Sequence, residues 1–149
     1  MSPRLVIVAL ALAAASCAGL PEPVDISGSE ACTHCRMTVS DVHVAAQVVA
    51  RGEEPIFFDD IGCLANWLKD AQPRDRAVVF VADHRTGHWV VAQHAVYTRA
   101  PHVATPMGSG IIAHVDAGSR DQDPAARGGT GQTIEQVFGN KLPVFGDAP

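Results

Sequence analysis

Four short stretches of the chain hold side chains able to bind a metal or carry redox chemistry. They are CTHCRM at 32–37, DDIGC at 59–63, TPMGSG at 105–110 and AHVD at 113–116. Cys32 and Cys35, two residues apart, fit a disulfide, half of a zinc site or a redox pair. Thiolate and thioether donors together are the set that selects Cu(I), and Met37 and Met107 supply the thioethers. Zinc wants a closed tetrahedron of Cys, His or carboxylate ligands, and neither a second CxxC nor an H-x₃₋₅-H follows at finger spacing. Iron–sulfur clusters mostly need four cysteines. A thioredoxin-type CxxC follows a strand and opens a helix. Here the motif follows a Pro- and Ser-containing lead-in and precedes MTVSD, which reads as extended.

The other donors lie further along the chain. Cys63 falls in the first turn of a predicted helix, where free amides and the helix dipole favour a thiolate. Met107, between Pro106 and Gly108, sits in a turn, away from any periodic apolar position. His114, on a strand close after that turn, is the best-placed extra nitrogen donor; His34 lies inside the CxxC, and no pair of the seven histidines has diagnostic spacing. Asp59 and Asp60 resemble paired catalytic carboxylates, but a helix N-cap accounts for at least one. With no G-x-S-x-G, P-loop or dinucleotide fingerprint, no enzymatic machinery is visible.

The N-terminus decides how many thiols remain. Residues 1–16 carry Arg4, then an apolar run from Leu5 to Ala15 that is too short to span a bilayer. Such a segment is expected to be a signal peptide, and small residues directly before Cys17 match a lipoprotein cleavage site. Cys17 would then carry the lipid, anchoring the protein in a bacterial envelope facing the periplasm. Of four cysteines, three would remain, an odd set that cannot all pair internally. A plain Cys32–Cys35 disulfide would leave Cys63 an orphan thiol.

Residues 17–30 read as a tether, and 31–149 as one modest domain. The chain has 11 Lys and Arg against 16 Asp and Glu, a net charge of −5. An acidic balance without a basic cluster argues against nucleic acid as a partner.

The elements that must position these donors follow from periodicity. The stretch 43–60 predicts two short strands joined at RGEE. Residues 59–73 predict a helix, with Ile61, Leu64, Ala65 and Leu68 at three- and four-residue spacing, Asp59 or Asp60 as N-cap and Pro73 as the stop. Residues 76–87 predict a strand of continuous apolar character. A second unit imitates the first in order and spacing, without a clear residue-level repeat. Its expected parts are a strand over 88–99, another over 109–117, a short helix over 133–142 and a last strand at LPVFG. Residues 118–132 are expected to be a loose polar loop. The expected class is α+β: two consecutive β-β-α-β units, about 31–83 and 84–149, with antiparallel strands and helices packed on one face.

Taken together, CTHCRMTVSD, FFDDIGCLANWL, VADH…GHWVVAQHAVY and TPMGSGIIAH resemble the NosL family of nitrous-oxide reductase accessory lipoproteins. The resemblance runs in order from Cys32 to Asp116. It implies a fold of two β-β-α-β units and a lipid-anchored, periplasm-facing protein. It also implies binding of Cu(I) and its delivery towards nitrous-oxide reductase or the copper-receiving maturation machinery. Carried over by position, the matched residues are Cys32, Cys35, Met37, Cys63 and Met107. Where members often have Gly before the motif Met, this chain has Arg36. Two rival readings remain open: a thiol–disulfide reductase acting on copper-site cysteines, and a non-catalytic lipoprotein scaffold stapled by a disulfide.

Overall fold

A computed structural model of the protein describes residues 19–71 and 76–143. The expected leader, Cys17 and Pro73 lie outside them, as do residues 144–149 with most of the LPVFG segment.

The first unit runs β1 (Ala46–Val49), β2 (Ile56–Phe58), α1 (Ile61–Asp70) and β3 (Val78–Ala82). Strand β1 lies between the other two, antiparallel to both, with Gln47 opposite Phe57 and Phe80. Side chains alternate across a strand. Ala46, Val48, Val79 and Val81 therefore enter the main core with Ile61, Leu64 and Leu68 of α1. Val49, Val78 and Phe80 form a separate cluster, with Trp89 and Val91 packed against it. A strand buried on both faces explains why 78–82 reads as one continuous apolar run. Helix α1 starts where predicted: Asp60 is the N-cap and accepts from the Gly62 amide at 2.6 Å.

The second unit corrects two expectations. Residues 88–99 are not one strand. Strand β4 (Trp89–Val91) pairs with β3, a 3-10 turn follows at Ala92–His94, and β5 (Val96–Arg99) begins a different sheet. The bend is held from inside, where the buried Tyr97 hydroxyl donates to the Ala92 carbonyl at 2.7 Å. Residues 118–132 are likewise not a loose loop. They include most of α2 (Ala117–Gln122), a 3-10 turn at Pro124–Ala126, and β7 (Thr130–Gln132). Asp116 and Asp123 start those turns by accepting from the Ser119 and Ala125 amides, a capping signal carried by polar residues without apolar periodicity. Strand β6 (Ile111–His114) and α3 (Ile134–Phe138) form where predicted.

The fold is α+β, two antiparallel sheets with few helices, in agreement with two β-β-α-β units. The sheet orders are β2-β1-β3-β4 and β6-β5-β7, so the second unit repeats the first through its three shared strands. Even the register repeats: Ala46 faces Phe58 as Val96 faces His114, and Val49 faces Val78 as Arg99 faces Thr130. The units share one core, because Tyr97, Ile111, Ala113 and Phe138 join the cluster that holds Phe58, Leu64 and Val81. The segment ahead of the CxxC is also docked. Buried Gln47 accepts from the Val24 amide at 2.8 Å and donates to its carbonyl at 2.9 Å.

Candidate metal centre

The CxxC lies on a tight loop closed by an isolated bridge between Ala31 and Thr38. The Cys32 amide donates to the Met37 carbonyl at 2.7 Å, and the Arg36 amide donates to the Cys32 carbonyl at 2.9 Å. That turn requires a left-handed residue, and Arg36 takes it at φ 67°, a conformation that favours glycine. Thr33 donates to the Phe57 carbonyl at 2.9 Å, fixing the loop beside the end of β2. Asp59 then ties the loop's exit, accepting from the Ser40 amide at 2.9 Å. The two aspartates thus have separate structural duties, Asp60 at the helix and Asp59 at the loop.

From the other side, α1 brings Cys63 in its first turn. The Sγ atoms of Cys32, Cys35 and Cys63 lie within 4.8 Å of one another, and all three are free thiols. Metal–thiolate bonds of about 2.3 Å would set neighbouring sulfurs roughly 4 Å apart, so one ion fits with little movement. Cys32 and Cys63 are buried and Cys35 is half-buried, so the cluster is reached from the Cys35 side.

The thiols are not equivalent. Burial alone would raise the pKa of Cys32. Backbone amides of Cys35, Asp59 and His34 that donate to its sulfur outweigh burial and lower it. Burial, with the charge of Cys32 close by, raises both Cys35 and Cys63. This corrects the expectation for Cys63: the helix N-terminus would favour its thiolate, but burial and the neighbouring Cys32 win. Of the three, Cys32 is the one held closest to the thiolate form, and a metal must displace the protons the thiols carry.

Met107 reaches this end of the molecule through Asp60. While one carboxylate oxygen caps α1, the other accepts from the Met107 amide at 3.1 Å. Gly62 makes the approach possible, since a Cβ there would come within 2.6 Å of the Ser109 Cβ. Met37 and Met107 are 47% and 50% exposed, large apolar side chains left at the surface, one on the CxxC loop and the other on the turn that Asp60 holds. His34 is exposed. His114 lies elsewhere, fully buried, with Nε2 on Asp123 at 2.9 Å, in a second cluster with His84.

The repeat explains the cradle. In the second unit the Asp83 amide donates to the His88 carbonyl at 2.8 Å, Gly87 donates to the Asp83 carbonyl at 2.7 Å, and His84 donates to the Ala113 carbonyl at 2.8 Å. Gly87 has φ 73°, matching Arg36. Asp83, Thr86 and Ser119 therefore stand where Cys32, Cys35 and Cys63 stand in the first unit. There, Thr86 Oγ1 donates to Asp83 at 3.0 Å and Ser119 Oγ donates at 2.8 Å. One cradle holds three thiols, and its twin is closed by its own hydrogen bonds.

Burial opposes ionisation of Asp83, yet the Val115 amide, Ser119 and Thr86 hold it down at about 2. A folded-state pKa below the unfolded one stabilises at neutral pH, and the contribution is lost as pH falls through about 4 towards 2. The shift corresponds to about 2 kcal/mol. Asp83→Asn is expected to remove at least that much at pH 7 and to flatten the acid limb, as read by urea unfolding across pH 2–7.

Fold and site together define a small α+β domain carrying an accessible three-thiol metal cradle. The NosL family model matches residues 23–138, most of the chain, and the protein belongs to the NosL family. No curated protein and no solved structure matches it. Family membership and three close cysteines that can hold a metal ion fit a copper-binding role. Among the described residues no helix is long and apolar enough to cross a membrane.

Proposed function

We propose that the protein is a Cu(I) metallochaperone, tethered to the envelope membrane by lipid on Cys17, facing the periplasm and supplying copper for maturation of nitrous-oxide reductase. The observation that carries this reading is the cluster of Cys32, Cys35 and Cys63 with sulfurs within 4.8 Å, partly open at Cys35. Soft sulfur donors select Cu(I) over harder ions. Cys32 is the anchoring thiolate and Cys63 the deep ligand. Cys35 is the one reached by an incoming donor, and Met37 and Met107 are the sulfurs met on entry and exit. Copper is cargo, so an accessible site with few ligands suits it: a partner's donor can bind before the old ones leave.

The thiol pattern favours this over the reductase reading. A redox CxxC presents its low-pKa thiolate to solvent, whereas here the low-pKa Cys32 is buried and the more accessible Cys35 is raised. Titrating the reduced protein with Cu(I) against a chelating dye tests the proposal. One ion per chain should be withheld from the dye, then surrendered to apo acceptor protein. A dye that keeps all the copper would refute it.

A further inference from the structure

The second cluster does not take part in the thiol site. His84 follows Asp83 in the twin loop, His114 ends β6, and Asp123 ends α2. Asp123 Oδ2 takes both imidazoles: His84 Nδ1 at 2.6 Å and His114 Nε2 at 2.9 Å. The donors lie within 4.8 Å of one another. In the first unit two of the three places are apolar, and Thr33 stands where His84 does. Phe58 occupies the register position of His114, and Trp67 follows its helix cap at the distance at which Asp123 follows Asp116. Phe58 and Trp67 pack as rings with centroids 5.3 Å apart. Where the first unit has a packed aromatic pair and Thr33, the second has an imidazole with a carboxylate and a second imidazole. His114 Nδ1 is buried without a partner among the described residues, and it remains so whether Asp123 or an ion takes Nε2.

From this geometry we infer a second metal site, formed by His84 Nδ1, His114 Nε2 and Asp123 Oδ2, for a divalent ion of the zinc class. Imidazole and carboxylate without thiolate suit such an ion rather than Cu(I). Bonds of about 2.0–2.1 Å in a tetrahedron put ligands roughly 3.3 Å apart. Each imidazole nitrogen needs to part from the Asp123 oxygen by less than about 1 Å. On binding, each neutral ring carries its proton on the opposite nitrogen. Supporting contacts are present: the second Asp123 oxygen accepts from the Ala125 amide at 2.8 Å, and the His84 carbonyl is met by His43 Nδ1 at 2.8 Å. Such outer contacts fix ligand orientation. With 18% of its side-chain surface exposed, His84 leaves a side open for water as fourth ligand. The ion would join the twin loop, β6 and α2.

The test uses the full chain with its thiols first filled by one equivalent of Ag(I), then titrated with Zn(II) alone. One Zn(II) should bind with a dissociation constant of about 1 μM or below and raise the thermal midpoint. His84→Asn keeps a donor near Asp123 but is a poor ligand, and it should weaken binding about 100-fold and abolish the thermal shift. His114→Phe installs the first unit's residue and should leave a folded protein without the site. Binding no tighter than about 100 μM, or His84→Asn protein that binds as the parent does, would overturn the inference. Cu(I) binding at the thiols is untouched by either result.

Discussion

Cys32→Ser is expected to lower Cu(I) affinity by on the order of a thousandfold, about 4 kcal/mol, with the fold retained. Cys32 is the thiol that backbone amides hold towards the thiolate form, so it gives up its proton to a cation most readily of the three. Its sulfur is also buried between the loop and α1, where no water or surface donor can substitute. Serine keeps the shape and can accept the same amides, and the twin cradle shows that oxygen side chains are tolerated in this geometry. Cys35→Ser should cost less, because its half-buried position lets Met37 or water compensate. Chelator competition on each variant, with circular dichroism as the check on folding, measures the difference. Equal losses at both positions would count against Cys32 as the anchor.

Asp60 carries the second large effect. It is fully buried and links the two units at the site, capping α1 through Gly62 and holding the Met107 turn by its amide. Asp60→Ala removes the cap, worth about 0.5–2 kcal/mol, and strands buried amides at about 1–3 kcal/mol. A total loss of about 3 kcal/mol is expected in urea unfolding. Asp60→Asn separates the roles. Its carbonyl can still cap α1, while its amide group faces the Met107 N–H and cannot accept from it. That variant should stay folded, release the Met107 turn to faster hydrogen exchange, and weaken Cu(I) binding about 10- to 100-fold, the range for groups that orient ligands. Copper affinity unchanged in Asp60→Asn would remove Met107 from the working site.

Periodicity made the first unit legible, because Ile61, Leu64 and Leu68 repeat at helical spacing after an aspartate cap, and Val78–Ala82 is buried on both faces. Length limited the rest. Strands β4 and β5 read as one because both are apolar, and the turn between them is held by a contact from Tyr97 to Ala92 that no local pattern records. Helix α2 was hidden because its face is polar. The cysteines could be gathered by their chemistry, but not the reason they meet: the cradle is a backbone loop repeated at Asp83–His88 with almost no shared residue types. The same blindness covered His84 and Asp123. They lie 39 positions apart in the chain and meet only through the second sheet and α2. The one signal available was His114 itself, a histidine ending an otherwise apolar strand.

The central claim is that one Cu(I) is held by sulfur from two separate segments, the CxxC loop and the first turn of α1. X-ray absorption on the copper-loaded protein tests it most directly, because it counts sulfur against nitrogen around the ion. The predicted result is a first shell dominated by sulfur, reduced by one sulfur in Cys63→Ser and by none in His114→Phe. A first shell of nitrogen and oxygen, or one unchanged by Cys63→Ser, would contradict the account.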